Sequence, residues 1–162
     1  MRPEQMGHGG VNRQRLPTDV RGQHISTEQA QAIRALIDRR IHERVPAAYL
    51  TREAWLQGVP FYVDERCIVP RSLIAENLAD GDLDDLLGRD PQHVLDLCTG
   101  NGSLAVLAAM AYPDALIEGS DISTDALAVA RINGERHGLS HRIEWRAVAG
   151  LAPPLGQYDL IL

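Results

Sequence analysis

The apolar positions of this chain change their spacing along its length, and each change marks a new kind of element. Ala30, Ile33, Leu36, Ile37 and Ile41 recur every three or four residues, the period of one helical face. Ser26 and Gln29 stand at capping-box spacing just before this stretch, and Pro46 stops it. The pattern predicts a single amphipathic helix of about four to five turns. Its apolar stripe needs a partner surface, and the residues before it supply none. From Ala48 to Val69 the period shortens: Tyr49, Trp55, Phe61, Tyr62, Val63, Ile68 and Val69 favour strands around the turn-like Gln57-Gly58-Val59-Pro60, which predicts a hairpin. Pro70-Arg71-Ser72 ends it and leads into a short helix through Leu73, Ile74 and Leu78. The acidic stretch Asp80 to Asp85 reads as a solvated linker and helix start, because its spacing fits no metal-binding loop.

After Pro91 strands and helices alternate. Val94 to Leu97, Ala115 to Ser120, Ile143 to Val148 and Tyr158 to Leu162 have the short buried runs of strands. Leu104 to Tyr112 and Asp125 to His137 lie between them as helices, the second ended by Gly138. Short connections between such elements imply right-handed crossovers and a parallel sheet, so the fold class is α/β.

Composition narrows the picture. A chain of 162 residues, 44% of them apolar, suffices for one domain with a core plus a smaller appendage. Met1 to His24 is rich in Gly, Arg, Gln and Pro and cannot offset its ordering entropy. The expected division is a flexible arm over residues 1–25, a helix and hairpin linker over 26–82, and an α/β domain over 83–162. No apolar run approaches the roughly 18–20 residues of a membrane span, and the N-terminus has no signal core, which points to the cytoplasm. Cys67 and Cys98 form no framework and read as free thiols. All 16 basic residues are arginine, which removes Schiff-base and phosphate-loop lysine chemistry. A net charge of -6 disfavours nucleic acid as substrate. The six histidines are scattered, no Cys-His or Ser-His pair is recognisable, and no metal site is expected.

The chemistry concentrates in Asp96-Leu97-Cys98-Thr99-Gly100-Asn101-Gly102, a loop between a buried strand and a helix, where backbone N–H groups can face a ligand. Ala105 stands where a dinucleotide-binding loop would place its third glycine. Asp121, at the end of the next strand and 19 residues beyond Gly102, can accept two hydrogen bonds from a ribose diol. A nicotinamide oxidoreductase is the competing reading, disfavoured by Asp96 and the imperfect glycine pattern.

Asp96, the glycine loop and Asp121 together resemble the signature of Rossmann-like S-adenosylmethionine methyltransferases. Ala48-Tyr49-Leu50, Phe61-Tyr62-Val63-Asp64-Glu65-Arg66, Val69-Pro70-Arg71-Ser72 and Asp121-Ile122-Ser123 with Asp125-Ala126-Leu127 extend the likeness to the protein-glutamine N-methyltransferases. Val-Pro-Arg-Ser favours the branch that modifies a large-subunit ribosomal protein over the branch that modifies release factors. The resemblance spans about residues 28 to 162. It implies a class I sheet ordered 3-2-1-4-5-7-6, of which this chain carries the first strands only, preceded by a helix and a β-hairpin. It also implies S-adenosyl-L-methionine as cofactor, with Cys98, Thr99, Gly100, Asn101 and Gly102 on it, Asp96 orienting the loop and Asp121 on the ribose. Asn133 matches a recurrent family position, as a cofactor-side residue or as a polar anchor between helix and sheet. Phe61, Pro70 and Arg71 match the substrate-pocket border, with core packing the other reading of Phe61.

Two departures qualify these expectations. No acid follows the third strand to meet adenine, since the chain reads Arg146-Ala147-Val148-Ala149-Gly150; Glu144 or a backbone amide is left for that contact. The family's Asn-Pro-Pro-Tyr motif, whose asparagine and proline carbonyl hold the substrate amide in line for transfer, is absent from these 162 residues. The expectation is therefore a fragment with no catalytic residues of its own and an uncovered apolar edge at Tyr158 to Leu162. A non-catalytic cofactor-binding module and a nucleic-acid amino-methyltransferase fragment are the alternatives.

Overall fold

A computed structural model describes residues 24–149 and 157–162, without the side chains of residues 84 and 85. The arm expected over 1–25 thus falls almost wholly outside the described residues. Helix α1, Thr27–His42, begins at the expected capping box: the Ser26 hydroxyl accepts from the Gln29 amide and the Gln29 side chain accepts from the Ser26 amide. Its apolar stripe remains in solvent, with Ile37 50% and Ile41 61% exposed.

The next segment departs from the strand expectation. Ala48 to Leu50 lie in a short helix, α2 (Ala47–Thr51), opened by Pro46 and closed by Arg52 in the left-handed region. Tyr49 favours a strand only weakly against its tertiary contact, a hydrogen bond from its hydroxyl to the Cys67 carbonyl at 2.6 Å. The hairpin itself is present but narrow. Strands β1 (Ala54–Leu56) and β2 (Val59–Phe61) pair antiparallel across Gln57 and Gly58, both at positive φ, as a tight two-residue turn requires. Residues 62–69 form no strand. Asp64 ties them into a turn by accepting from the Tyr62 hydroxyl and from the backbone and guanidinium of Arg66.

Helices α3 (Ile74–Asp80) and α4 (Asp82–Leu87) lead into the sheet, which runs β3 (His93–Leu97), α5 (Ser103–Ala111), β4 (Leu116–Asp121), α6 (Thr124–Arg136), β5 (Ile143–Ala147) and β6 (Leu160–Ile161). All its pairings are parallel and its order is β5-β4-β3-β6, the expected first four places of the class I sheet. One core joins hairpin and sheet: Leu56, Val59 and Phe61 cluster with Val94, Val106 and Ile117. β6 is short, and Ile161 at the sheet edge is 52% exposed.

Candidate functional site

Parallel order brings the C-terminal ends of β3 and β4 side by side, and the loop after β3 folds over both. Its Thr99 amide donates to the Ser120 carbonyl at 2.8 Å, so the loop is hooked to β4. Cys98, Gly100 and Gly102 all have positive φ, a run that turns the chain sharply before α5. Only glycine fits at position 102, because a Cβ there would lie 2.7 Å from the Trp145 ring and 2.9 Å from the Ala130 side chain.

Two carboxylates organise the loop from opposite sides. Asp96, 2% exposed, accepts from the Ala105 amide at 2.9 Å and from the Thr99 hydroxyl. It therefore fastens both arms of the loop from below. Burial pushes its carboxyl up to about 6; the bonds from Thr99 and Ala105 oppose that shift and the nearby Asp121 charge adds to it. Asp121 is half-buried at the end of β4. One of its oxygens accepts from the Gly100 amide and the other from the Ser123 amide, each at 2.9 Å. Each oxygen keeps a lone pair for a further donor.

A cavity of about 700 Å³ opens beside the loop. Asp96, Cys98, Thr99, Gly100, Asn101 and Asp121 line it from the loop and the strand ends, and Pro70 and Arg71 from the segment after the hairpin. Eight of the sequence-derived positions are thus brought together. Three are not on the lining. Gly102 packs beneath Trp145. Phe61 is fully buried and its ring packs tilted against His137, centroids 5.4 Å apart, in keeping with the core-packing reading. Asn133 is fully buried behind the loop, bonded to backbone of Tyr62 and Asn101, which is the polar-anchor reading. Glu144 pairs with Arg146 at 3.1 Å and lines a separate cavity with Glu118 and Tyr158.

Arg66 and Ser123 also line the site and were not singled out from the sequence. The signal for Ser123 was its place two residues after Asp121, an Asx turn that caps α6. Arg66 belongs to the Phe61 to Arg66 motif, but its role depends on Asp64, whose carboxyl the Arg66 guanidinium holds down at about 2.

The lining matches the chemistry of a nucleoside cofactor with an amino-acid tail. Asn101 is 4% exposed, yet its side-chain Nδ2 has no hydrogen-bond partner, an uncommitted donor that a buried site seldom leaves unused. Asp121 supplies the acceptor for a diol. Arginine side chains from residues 66 and 71 flank the opening. No cluster able to hold a metal ion occurs among the described residues, nor is any helix long and apolar enough to cross a membrane.

Comparison with known proteins gives a consistent set of likenesses. The family model of the methyltransferase small domain matches residues 78–162. Curated relatives named ribosomal protein uL3 glutamine methyltransferase include that of Burkholderia pseudomallei (strain K96243), 55% identical over 149 residues, 85% of this chain and 48% of the relative. That of Neisseria gonorrhoeae (strain ATCC 700825 / FA 1090) is 44% identical over 91% of this chain and 51% of its own. The chain therefore spans about half the length of the curated relatives it matches. Among solved structures, an RNA methyltransferase from Salinibacter ruber in complex with S-adenosyl-L-homocysteine is 21% identical, with a TM-score of 0.47, over 57% of this chain and 58% of that one.

Proposed function

The chain belongs to the methyltransferase small domain family, and from that membership we propose that it is the cofactor-binding part of an S-adenosylmethionine-dependent protein-glutamine N-methyltransferase acting on a large-subunit ribosomal protein. The observation that carries the cofactor assignment is the pairing of the loop over Asp96 with the Asp121 carboxylate at the neighbouring strand end. The acceptor assignment rests on the names of relatives 44–55% identical to this chain.

When bound, S-adenosylmethionine supplies an electrophilic methyl group. The residues of this chain hold and orient it. Asp121 accepts from the ribose hydroxyls while keeping Gly100 and Ser123 in place. Asn101 offers its side-chain N–H, and the loop forms the surface beside the tail. Asp96, buried under the loop it fastens through Thr99 and Ala105, is a positioning residue. Pro70 and Arg71 form the wall nearest the acceptor. The sequence holds no Asn-Pro-Pro-Tyr, so the 162-residue chain by itself is expected to bind cofactor without transferring methyl groups.

A chimera tests the whole reading. Residues 28–162 would replace the matching segment of the Burkholderia relative, and the product would be incubated with labelled cofactor and ribosomes from cells lacking that relative's activity. Label on a glutamine of uL3 is the expected result. A folded chimera that binds cofactor but labels only a release factor or RNA overturns the acceptor assignment.

A further inference from the structure

The helix face of α6 that looks toward the hairpin carries Asn133 and His137, one turn apart. His137 meets the Pro60 carbonyl at 2.9 Å through a ring nitrogen and packs tilted against the Phe61 ring. Asn133 does more. Its Oδ1 accepts from the Tyr62 amide at 2.7 Å, and its Nδ2 donates to the Tyr62 carbonyl at 3.0 Å. This carboxamide thus pairs with both polar groups of one residue, as a neighbouring strand would, where β2 has just ended. The second Nδ2 hydrogen goes to the Asn101 carbonyl at 2.8 Å. Tyr62 and Asn101 belong to different elements, 39 positions apart in sequence. One fully buried side chain therefore ties the exit of the hairpin to the cofactor loop.

We propose that Asn133 is a positioning residue that couples the two walls of the site, so that ordering of the loop around cofactor also orders the segment from Tyr62 toward Pro70 and Arg71. The inference rests on cofactor binding at that loop. The donor count explains why only a carboxamide serves. A carboxylate of the same shape could accept from Tyr62 but would face two carbonyl oxygens with no hydrogen to give. A purely structural anchor would fix the hairpin to α6 equally in the free and liganded protein. A coupling residue makes hairpin protection depend on the ligand.

Hydrogen exchange on the 162-residue chain, with and without S-adenosylhomocysteine, separates the two. Neither Phe61 nor Tyr62 lines the cavity, so protection of residues 59–63 by ligand reports coupling and not contact. In the wild-type chain, exchange is expected to slow both at 98–102 and at 59–63, the latter by about tenfold. In Asn133→Asp, the slowing should remain at 98–102 only, with affinity weaker by about tenfold or more at neutral pH. Ligand heat with protection confined to 98–102 in the wild-type chain overturns the coupling, whether or not the variant folds. Asn133→Asp with wild-type affinity and wild-type spread of protection overturns it as well. No ligand heat at all overturns instead the cofactor assignment on which it stands.

Discussion

Asp96 owes its state to where its strand puts it. Removing a carboxylate from water disfavours the charged form, and its folded value of about 6 stands above the roughly 3.9 of an unfolded aspartate. A raised acid binds its proton more tightly in the folded state. The stability it contributes is therefore complete below the unfolded value and is lost as pH rises through about 6, by roughly 3 kcal/mol at an order-of-magnitude level. Asp96→Asn keeps an oxygen for Thr99 and Ala105 but cannot ionise. In urea unfolding followed across pH 4 to 7, the wild-type chain should lose stability relative to the variant over that window. Parallel curves for the two proteins would contradict the burial argument.

Between elements, the tightest fit involves one indole. Trp145 on β5 lies over glycines of three neighbours: Gly119 on β4, Gly102 at the start of α5 and Gly134 on α6. A Cβ on Gly119 would stand 2.5 Å from Cζ3 and 2.6 Å from Cε3 of that ring. Gly119→Ala is expected to destabilise the chain by about 1–3 kcal/mol, read as a lower thermal midpoint by circular dichroism; an unchanged midpoint would show that the ring can move aside. This contact was not legible in the sequence, because it depends on how β4, β5 and two helices converge. The strands and helices from His93 to Ala147 were legible, since short apolar segments alternate with helical spacing and with stops such as Gly138. The segment from Ala48 to Val69 was only half legible. Gln57-Gly58 marked the hairpin turn, but β-favouring Tyr49, Val63 and Val69 were overruled by a hydroxyl bond to Cys67 and by the Asp64–Arg66 turn.

At the scale of the molecule, strand order carries the argument. With β3 and β4 adjacent and parallel, the loop over Asp96 and the carboxylate of Asp121 meet at one edge of the sheet. The linker after the hairpin adds Pro70 and Arg71 to the lining. The loop and its two acids could be found from spacing alone. Core packing of Phe61 and a polar-anchor role for Asn133 were open readings of the sequence, but the partner of that anchor, Tyr62, 71 positions away, could not be found there. The proposed function unites these features as a site for a ribose-bearing cofactor, and calorimetric titration of the chain with S-adenosylhomocysteine tests that proposal most directly. The account predicts one-site heat for the wild-type chain, affinity lowered by about tenfold or more in Asp121→Ala, and no heat with NADH. Absence of heat with the wild-type chain, or identical binding by Asp121→Ala, would contradict it.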